Sequence, residues 1–234
     1  MENSEFDRVA DKYHAMHAKN ISASGEKPDF FASYKIADLA RIVAEQGRIP
    51  NEILDFGSGV GNSIPWFRKY FPNSYVTCAD VSSRSIAVSQ KLYAGRERYA
   101  EILDGSLPFD DDVFDVVFSA CVFHHIPHQE HIQWFKEALR VTRPGGLLVV
   151  FEHNPWNPLT VHAVNTCPFD INARLIESPE LARTVCNAGW QSVKVRYRVF
   201  FPRFLSALRR FEEYLVDIPL GAQYSLIAEK KWPE

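Results

Sequence analysis

The chain has 234 residues, 46% of them apolar and 24% charged, with a formal net charge of -3 and an isoelectric point near 6.2. That length suits one α/β domain with its own core, and the composition is ordinary for a globular protein. The weak negative balance excludes the global basic field that nucleic acid or an anionic membrane would need, while leaving room for a local basic patch.

Cys78, Cys121, Cys167 and Cys186 are scattered, without CxxC or zinc spacing, so reduced and mostly buried thiols are expected. Glu2, Glu5, Asp7 and Asp11 interrupt any leader-like apolar run, and no stretch is long and apolar enough to span a bilayer. A soluble, cytoplasmic protein is expected.

In chain order, Phe6, Val9, Ala10 and Tyr13 recur at helical spacing, a stripe that suits either packing on the domain or a lid. A Ser-, Gly- and Pro-containing loop over 21–30 precedes a helix over 31–46, carried by Ile36, Leu39, Ala40 and Val43 and ended by Gly47. Ile53 and Leu54 read as a buried strand with Asp55 at its polar end. Gly57, Gly59 and Gly61 turn the chain into a helix over 63–70. Alternate glycines let backbone approach a ligand closely, and the following helix aims free N–H groups at it. A second strand over 75–80 ends in Asp80, one strand–helix–strand unit after Asp55. In nucleotide-binding α/β folds an acid there accepts hydrogen bonds from ribose hydroxyls. Ser82 or Ser83 can cap the next helix, over 85–94, which leaves Asp80 to the ligand.

A third strand over 99–103 leads to Asp104, Gly105 and Ser106. Phe114, Val116, Val117 and Phe118 form the near-continuous apolar run of a strand covered on both faces. Residues 119–123 lie at its carboxyl end, where ligands collect in open parallel sheets, and His124 and His125 follow. A helix over 129–141 and a turn over 143–146 lead into a fifth strand. Residues 152–176 read as a long loop with one short helix, and long ordered loops are usually functional. Residues 178–189 carry a helix signature, with Ser178 as N-cap, Pro179 at N1 and Gly189 beyond the end. Strands follow over 192–201 and 223–230. Between them Phe201, Phe204, Leu205, Leu208, Phe211 and Leu215 form a helical stripe beside Arg203, Arg209 and Arg210. That stripe suits packing on the sheet, a homodimer mate, or an interfacial contact through 200–215 with a membrane or amphiphilic substrate.

The glycine turn is G-x-G-x-G rather than the G-x-G-x-x-G of dinucleotide folds, and an acid precedes it. That spacing resembles motif I of class I S-adenosylmethionine-dependent methyltransferases. Leu107, Pro108 and Phe109 resemble the L-P-F of ubiquinone-biosynthesis-type members. The block A-L-R-V-x-R-P-G-G-x-L-x-V over 138–150 closely resembles motif III, and F-D-x-x-A-x-x-Y resembles the helix that covers the cofactor in small-molecule members.

The resemblance implies a doubly wound, Rossmann-like α/β fold with a seven-stranded sheet of order 3-2-1-4-5-7-6, last strand antiparallel. It implies a single domain over 1–234. Residues 1–47 would be the lid, 53–151 the cofactor-binding core, and 152–177 and 201–222 the substrate-side elements. For S-adenosyl-L-methionine it implies Asp55, Gly57, Gly59 and Gly61 at the methionine part. Asp80 would meet the ribose, with Val81 also in the cofactor site, Asp104, Gly105 or Ser106 would meet the adenine, and Ser119 would stand at the fourth strand's tip.

Methyl transfer is an in-line displacement, so the protein mainly aligns the reactants and excludes water. A hydroxyl acceptor needs a base, and histidine near neutral pKa is suited to it. His125 and His153 are the candidates for base or orienting group; Tyr13, His124, Asn154 and Trp156 are the candidate acceptor contacts. Glu152, His153 and Asn154 lack the partner carboxylate of catechol-type metal sites, so no metal is expected. The Asn154-Pro155-Trp156 run follows the fifth strand rather than the fourth, where base-modifying enzymes carry their motif, so no nucleic-acid partner is expected. The expected reaction is O-methylation of a small-molecule or lipid-linked saccharide acceptor, because 152–158 and 167–170 resemble a bacterial branch often encoded beside polysaccharide genes. The alternatives are a cofactor-binding, non-catalytic partner protein and a C- or N-methyltransferase of a small metabolite.

Overall fold

In the computed structural model, residues 25–26, 28–167 and 172–232 are described, and they build a seven-stranded sheet of order β3-β2-β1-β4-β5-β7-β6. The strands are β1 (Glu52–Phe56), β2 (Tyr75–Asp80), β3 (Arg98–Glu101), β4 (Phe114–Ala120), β5 (Thr142–His153), β6 (Gln191–Arg198) and β7 (Gln223–Glu229). β1 through β5 pair in parallel, and β7 runs antiparallel between β5 and β6. This is the order and handedness of pairing that the family resemblance implied.

Side chains alternate along each strand, so two apolar layers form. On one face Ile53, Phe118, Val149 and Phe151 pack against Ile36, Leu39 and Val43 of α1 (Pro28–Glu45) and Ile64 and Phe67 of α2 (Ile64–Tyr70). On the other, Leu54, Val117, Leu148 and Val150 meet Trp134, Phe135 and Val141 of α4 (His131–Val141), with Leu181 and Val185 of α6 (Ser178–Asn187). Each fully buried side chain of this kind contributes about 2 kcal/mol of transfer free energy. The other α-helices among the described residues are α3 (Ser83–Leu92) and α5 (Pro158–Asn165).

Four local readings change. The turn expected over 143–146 is absorbed into β5, whose pairing with β4 shifts register between Phe114 and Val116. The bulge is held by Arg143 on Asp115 at 2.8 Å and by Gly145 N–H donating to Lys230 O at 2.8 Å, with Gly145 at φ +76°. β3 stops at Glu101, two residues early, because Leu103 and Ser106 close a tight turn instead. Glu177, not Ser178, caps α6, and the Ser178 hydroxyl bonds Tyr197 Oη at 2.7 Å. The stripe over 201–215 forms a kinked 3-10 segment, Arg203–Tyr214, with no buried residue, so it does not pack on the sheet. The expected lid helix and Tyr13 lie outside the described residues, as do 168–171.

A buried ion pair fixes α1 against β6. Arg198 Nε donates to Asp38 Oδ2 at 2.7 Å, and both residues are buried. Replacing Asp38 by alanine would strand the guanidinium without its partner. The expected cost is about 3 kcal/mol in urea unfolding, whereas a loss below about 1 kcal/mol would show that the pair is solvated.

Candidate active site

The strand order reverses direction between β1 and β4, and in such sheets ligands bind outside the carboxyl ends at that point. Phe56 of β1 pairs with Ser119 of β4, and Ala120 with Phe151 of β5, so three strand tips converge there.

The glycine turn is pinned from beneath. Gly57 and Ser58 donate to Ala79 O at 2.8 and 3.1 Å, and Gly59 N–H donates to Asp80 Oδ2 at 2.8 Å. Asp80 Oδ1 accepts from Ser82 N at 2.9 Å. Ser82 caps α3 as expected, accepting from Ser85 N at 3.0 Å. That cap does not leave Asp80 wholly to a ligand, since each of its oxygens also holds a backbone N–H.

The three glycines do different jobs. A Cβ at Gly57 would lie 2.4 Å from Val122, and one at Gly61 would lie 2.1 Å from Ser89 Oγ. At Gly59, φ +54°, it would meet nothing within 4 Å. Gly57 and Gly61 allow close packing, whereas Gly59 leaves open space for a ligand.

Four buried polar atoms at the glycine turn and the neighbouring strand tips have no partner among the described residues: Asp55 Oδ2, Ser58 Oγ, Asn62 Oδ1 and Ser119 Oγ. Asp55 is 3% exposed. Burial, and then the nearby charge of Asp80, raise its carboxyl to about 7, while Lys35 opposes them. A ligand bearing a cationic amine would supply what this carboxylate lacks. At the far side, Asp104 (φ +54°) and Gly105 (φ +69°) form an exposed left-handed turn, steadied by Gln133 Nε2 on Gly105 O at 3.0 Å. Val81 is partly buried against the core.

Imidazoles gather at the tips of β4 and β5. Glu152, fully buried, accepts from Val122 N and Phe123 N through Oε1 and from His124 Nδ1 through Oε2 at 2.6 Å. Burial pushes this carboxyl up, but His124 and the donated hydrogen bonds outweigh it and hold it down at about 2. Such a carboxylate requires the proton on His124 Nδ1. The His124 ring centroid lies 4.1 Å from that of His125 and 5.2 Å from that of His153. His131 Nε2 donates to both Phe123 O and Ile126 O at 2.9 Å, and burial lowers its pKa, so a neutral ring shapes the turn.

A second chain of side chains meets the first. Tyr34 Oη donates to Gln223 Oε1, and Gln223 Nε2 lies 3.3 Å from His153 Nδ1 and 3.7 Å from Cys121 Sγ. Lys35 Nζ lies 3.0 Å from the same sulfur. Sequence reasoning did not single out Tyr34, Lys35, Cys121 or Gln223, and considered Glu152 only as a metal ligand. The available signal was a lysine embedded among the core positions of α1 and an acid directly after an apolar strand.

Asn154 is buried, its amide donates to Pro219 O and Gly221 O at 3.1 and 2.8 Å, and its oxygen accepts from Trp156 N at 3.1 Å. These bonds staple the loop. His124 is buried as well. Trp156 is 42% exposed, stacked on Tyr197 at 6.4 Å.

A family model described as "Methyltransferase domain" matches residues 54–150. A ubiquinone/menaquinone biosynthesis C-methyltransferase of Ectopseudomonas mendocina is 29% identical over 179 residues, covering 72% of this chain and 67% of that protein. A malonyl-[acyl-carrier protein] O-methyltransferase of Geobacter sulfurreducens is 27% identical over 202 residues, covering 78% of this chain and 74% of that protein. Among solved structures, a Thermotoga maritima methyltransferase described as a possible histamine N-methyltransferase superposes with a TM-score of 0.67 at 18% identity, covering 97% of this chain and 99% of that one. Residues 54–150 carry a methyltransferase domain, and these likenesses identify an S-adenosylmethionine-dependent methyltransferase.

The methyltransferase's unpartnered Asp55 oxygen, the open space at Gly59 and the unpartnered Ser119 hydroxyl fit its cofactor, whose amine and hydroxyls complement them. Below about pH 7 the cofactor-free enzyme carries a proton on Asp55, and a cationic amine must expel it. Affinity for S-adenosylhomocysteine should therefore fall as pH drops below about 7, approaching about tenfold per unit. Calorimetry between pH 5.5 and 8 reads this directly, and a flat profile would remove Asp55 from the site. Gly59→Val should weaken binding by more than about tenfold, about 1.4 kcal/mol, while leaving the far-ultraviolet circular dichroism unchanged.

Proposed function

We propose that this methyltransferase methylates a hydroxyl of a small or lipid-linked acceptor, a saccharide among the candidates, with His125 removing the proton. The cluster of three imidazoles backed by buried Glu152 supports this reading. When bound, S-adenosyl-L-methionine supplies an electrophilic methyl on sulfur. Asp55 and Gly59 would hold its methionine part, with Gly57 and Gly61 shaping that loop. Asp80 and Val81 would meet the ribose, Asp104 or Gly105 the adenine, and Ser119 would close the strand tip.

The two histidines divide the work by their hydrogen bonds. Gln223 Nε2 lies 3.3 Å from His153 Nδ1, so His153 acts as a donor through Nε2. His153 therefore orients the acceptor oxygen and stabilises its negative charge, and His125 accepts the proton. His124, fixed by Glu152, holds the two rings in register. Trp156 lines the acceptor side, and Tyr13 of the expected lid would cover it.

The exposed Arg203–Tyr214 segment supports an amphiphilic acceptor or peripheral membrane contact: Phe204 is 83% and Tyr214 75% exposed, with Arg210 stacked on Phe211. The same face would serve a homodimer. The four cysteines are free, in keeping with a cytoplasmic protein; among the described residues no helix is long and apolar enough to cross a membrane. The C-methyltransferase relatives favour a second reading, in which the deprotonated hydroxyl activates a neighbouring ring carbon for methylation.

Incubation with methyl-labelled cofactor and panels of phenolic, saccharide and polyprenyl-linked acceptors, with mass spectrometry and NMR of the product, tests the proposal. An O-methyl product supports it, a ring C-methyl product selects the second reading, and methylation of an amine overturns both. With the acceptor in hand, His125→Ala should lower kcat by about 100-fold or more with cofactor affinity unchanged. His153→Ala should act mainly on acceptor KM and modestly on kcat; equal losses of cofactor affinity would reduce both residues to packing.

A further inference from the structure

The four cysteines occupy unlike surroundings. Cys78 is fully buried, and burial drives its thiol well above the ordinary range. Cys167 is buried and Cys186 exposed. Cys121 directly follows β4 with φ +59°, half-buried, its N–H donating to Phe151 O at 2.8 Å.

Its sulfur sits in a cluster of charged and polar groups from three elements. From α1 come Lys35 Nζ at 3.0 Å and the Tyr34 hydroxyl. From β5 come Glu152 and His153, and from β7 come Gln223, with Nε2 at 3.7 Å, and Tyr224. Lys35 is 7% exposed, and an ammonium removed from water needs an anion beside it. The other carboxylate it faces, Asp55, is half protonated near neutral pH. A thiolate at Cys121 supplies the missing charge. Burial pushes this thiol up and Glu152 adds to that, but His153 and Lys35 prevail and bring it down to about 6. Sulfur reactivity follows thiolate character and access; Cys121 is partly exposed and has the Lys35 ammonium 3.0 Å from its sulfur.

We propose that Cys121 is a modification site for peroxides and other soft electrophiles, a thiolate held in the catalytic cleft by Lys35 and Gln223. With a peroxide, the thiolate sulfur attacks one oxygen. The S–O bond forms as the O–O bond breaks, and the departing hydroxide takes a proton from solvent. The product is a sulfenic acid whose oxygen lies between Lys35, Gln223 and His153, where it disturbs the chain that sets the His153 tautomer. With iodoacetamide the S–C bond forms and iodide leaves.

The test uses the full chain with iodoacetamide at pH 6.5 and peptide mass spectrometry, with hydrogen peroxide and dimedone trapping in parallel. Cys121 should be alkylated at least about tenfold faster than exposed Cys186, and dimedone should tag Cys121. Lys35→Met should slow labelling of Cys121 about tenfold or more, and Lys35→Arg should restore most of it. Preferential or equal labelling of Cys186 in the wild-type chain would overturn the proposal, a comparison that needs no variant to fold. An unchanged rate in folded Lys35→Met would overturn the role of Lys35.

Discussion

One carboxylate oxygen without a partner governs the proposed cofactor side of this molecule. Asp55 closes the central strand, is almost completely buried, and leaves Oδ2 unbonded among the described residues. Leaving a buried acceptor unsatisfied costs about 1–3 kcal/mol, and the folded protein tolerates it by letting the group take up a proton near neutral pH. The glycine turn, the Asp80 brace beneath it and the close approach at Gly57 and Gly61 hold that oxygen where a cationic ligand can reach it. Stability has been given up at a strand tip, and a ligand bound there would recover it.

The acceptor side is organised on the opposite principle. Glu152 is fully satisfied, by two backbone N–H groups and one imidazole, and it stays charged far below neutral pH. Its folded pKa is depressed, so the stability it contributes is present at neutral pH and lost only as pH falls from about 4.5 towards 2. A charged anchor therefore sets the position of His124, beside which the rings of His125 and His153 lie. In the proposed reading the protonatable group would face the cofactor, while the fixed charge would stand behind the acceptor chemistry.

Much of this was readable from the sequence because it is local. The apolar run of β4, the 75–80 strand ending in Asp80 and the G-x-G-x-G turn carry their structure within a few residues, and the chain placed them where expected. The errors are non-local. Pro144, Gly145 and Gly146 signal a turn, but the register of β4 and the backbone of Lys230 convert them into a bulge within a strand. The partners of Asn154 lie 65 and 67 residues away, where no local pattern shows them. Lys35 and Cys121 lie 86 residues apart, and neither is conspicuous alone. The stripe over 201–215 has helical spacing but stays on the surface, since periodicity shows that a face is apolar and not what covers it.

The central claim, that the cofactor lies across the tips of β1, β2 and β4 with its amine on Asp55, is tested most directly by a crystal structure with S-adenosylhomocysteine. The account predicts the amino group within hydrogen-bond distance of Asp55 Oδ2, the chain passing over Gly59, and the ribose beside Asp80. A nucleoside bound elsewhere, or Asp55 still unbonded beneath it, would contradict the account.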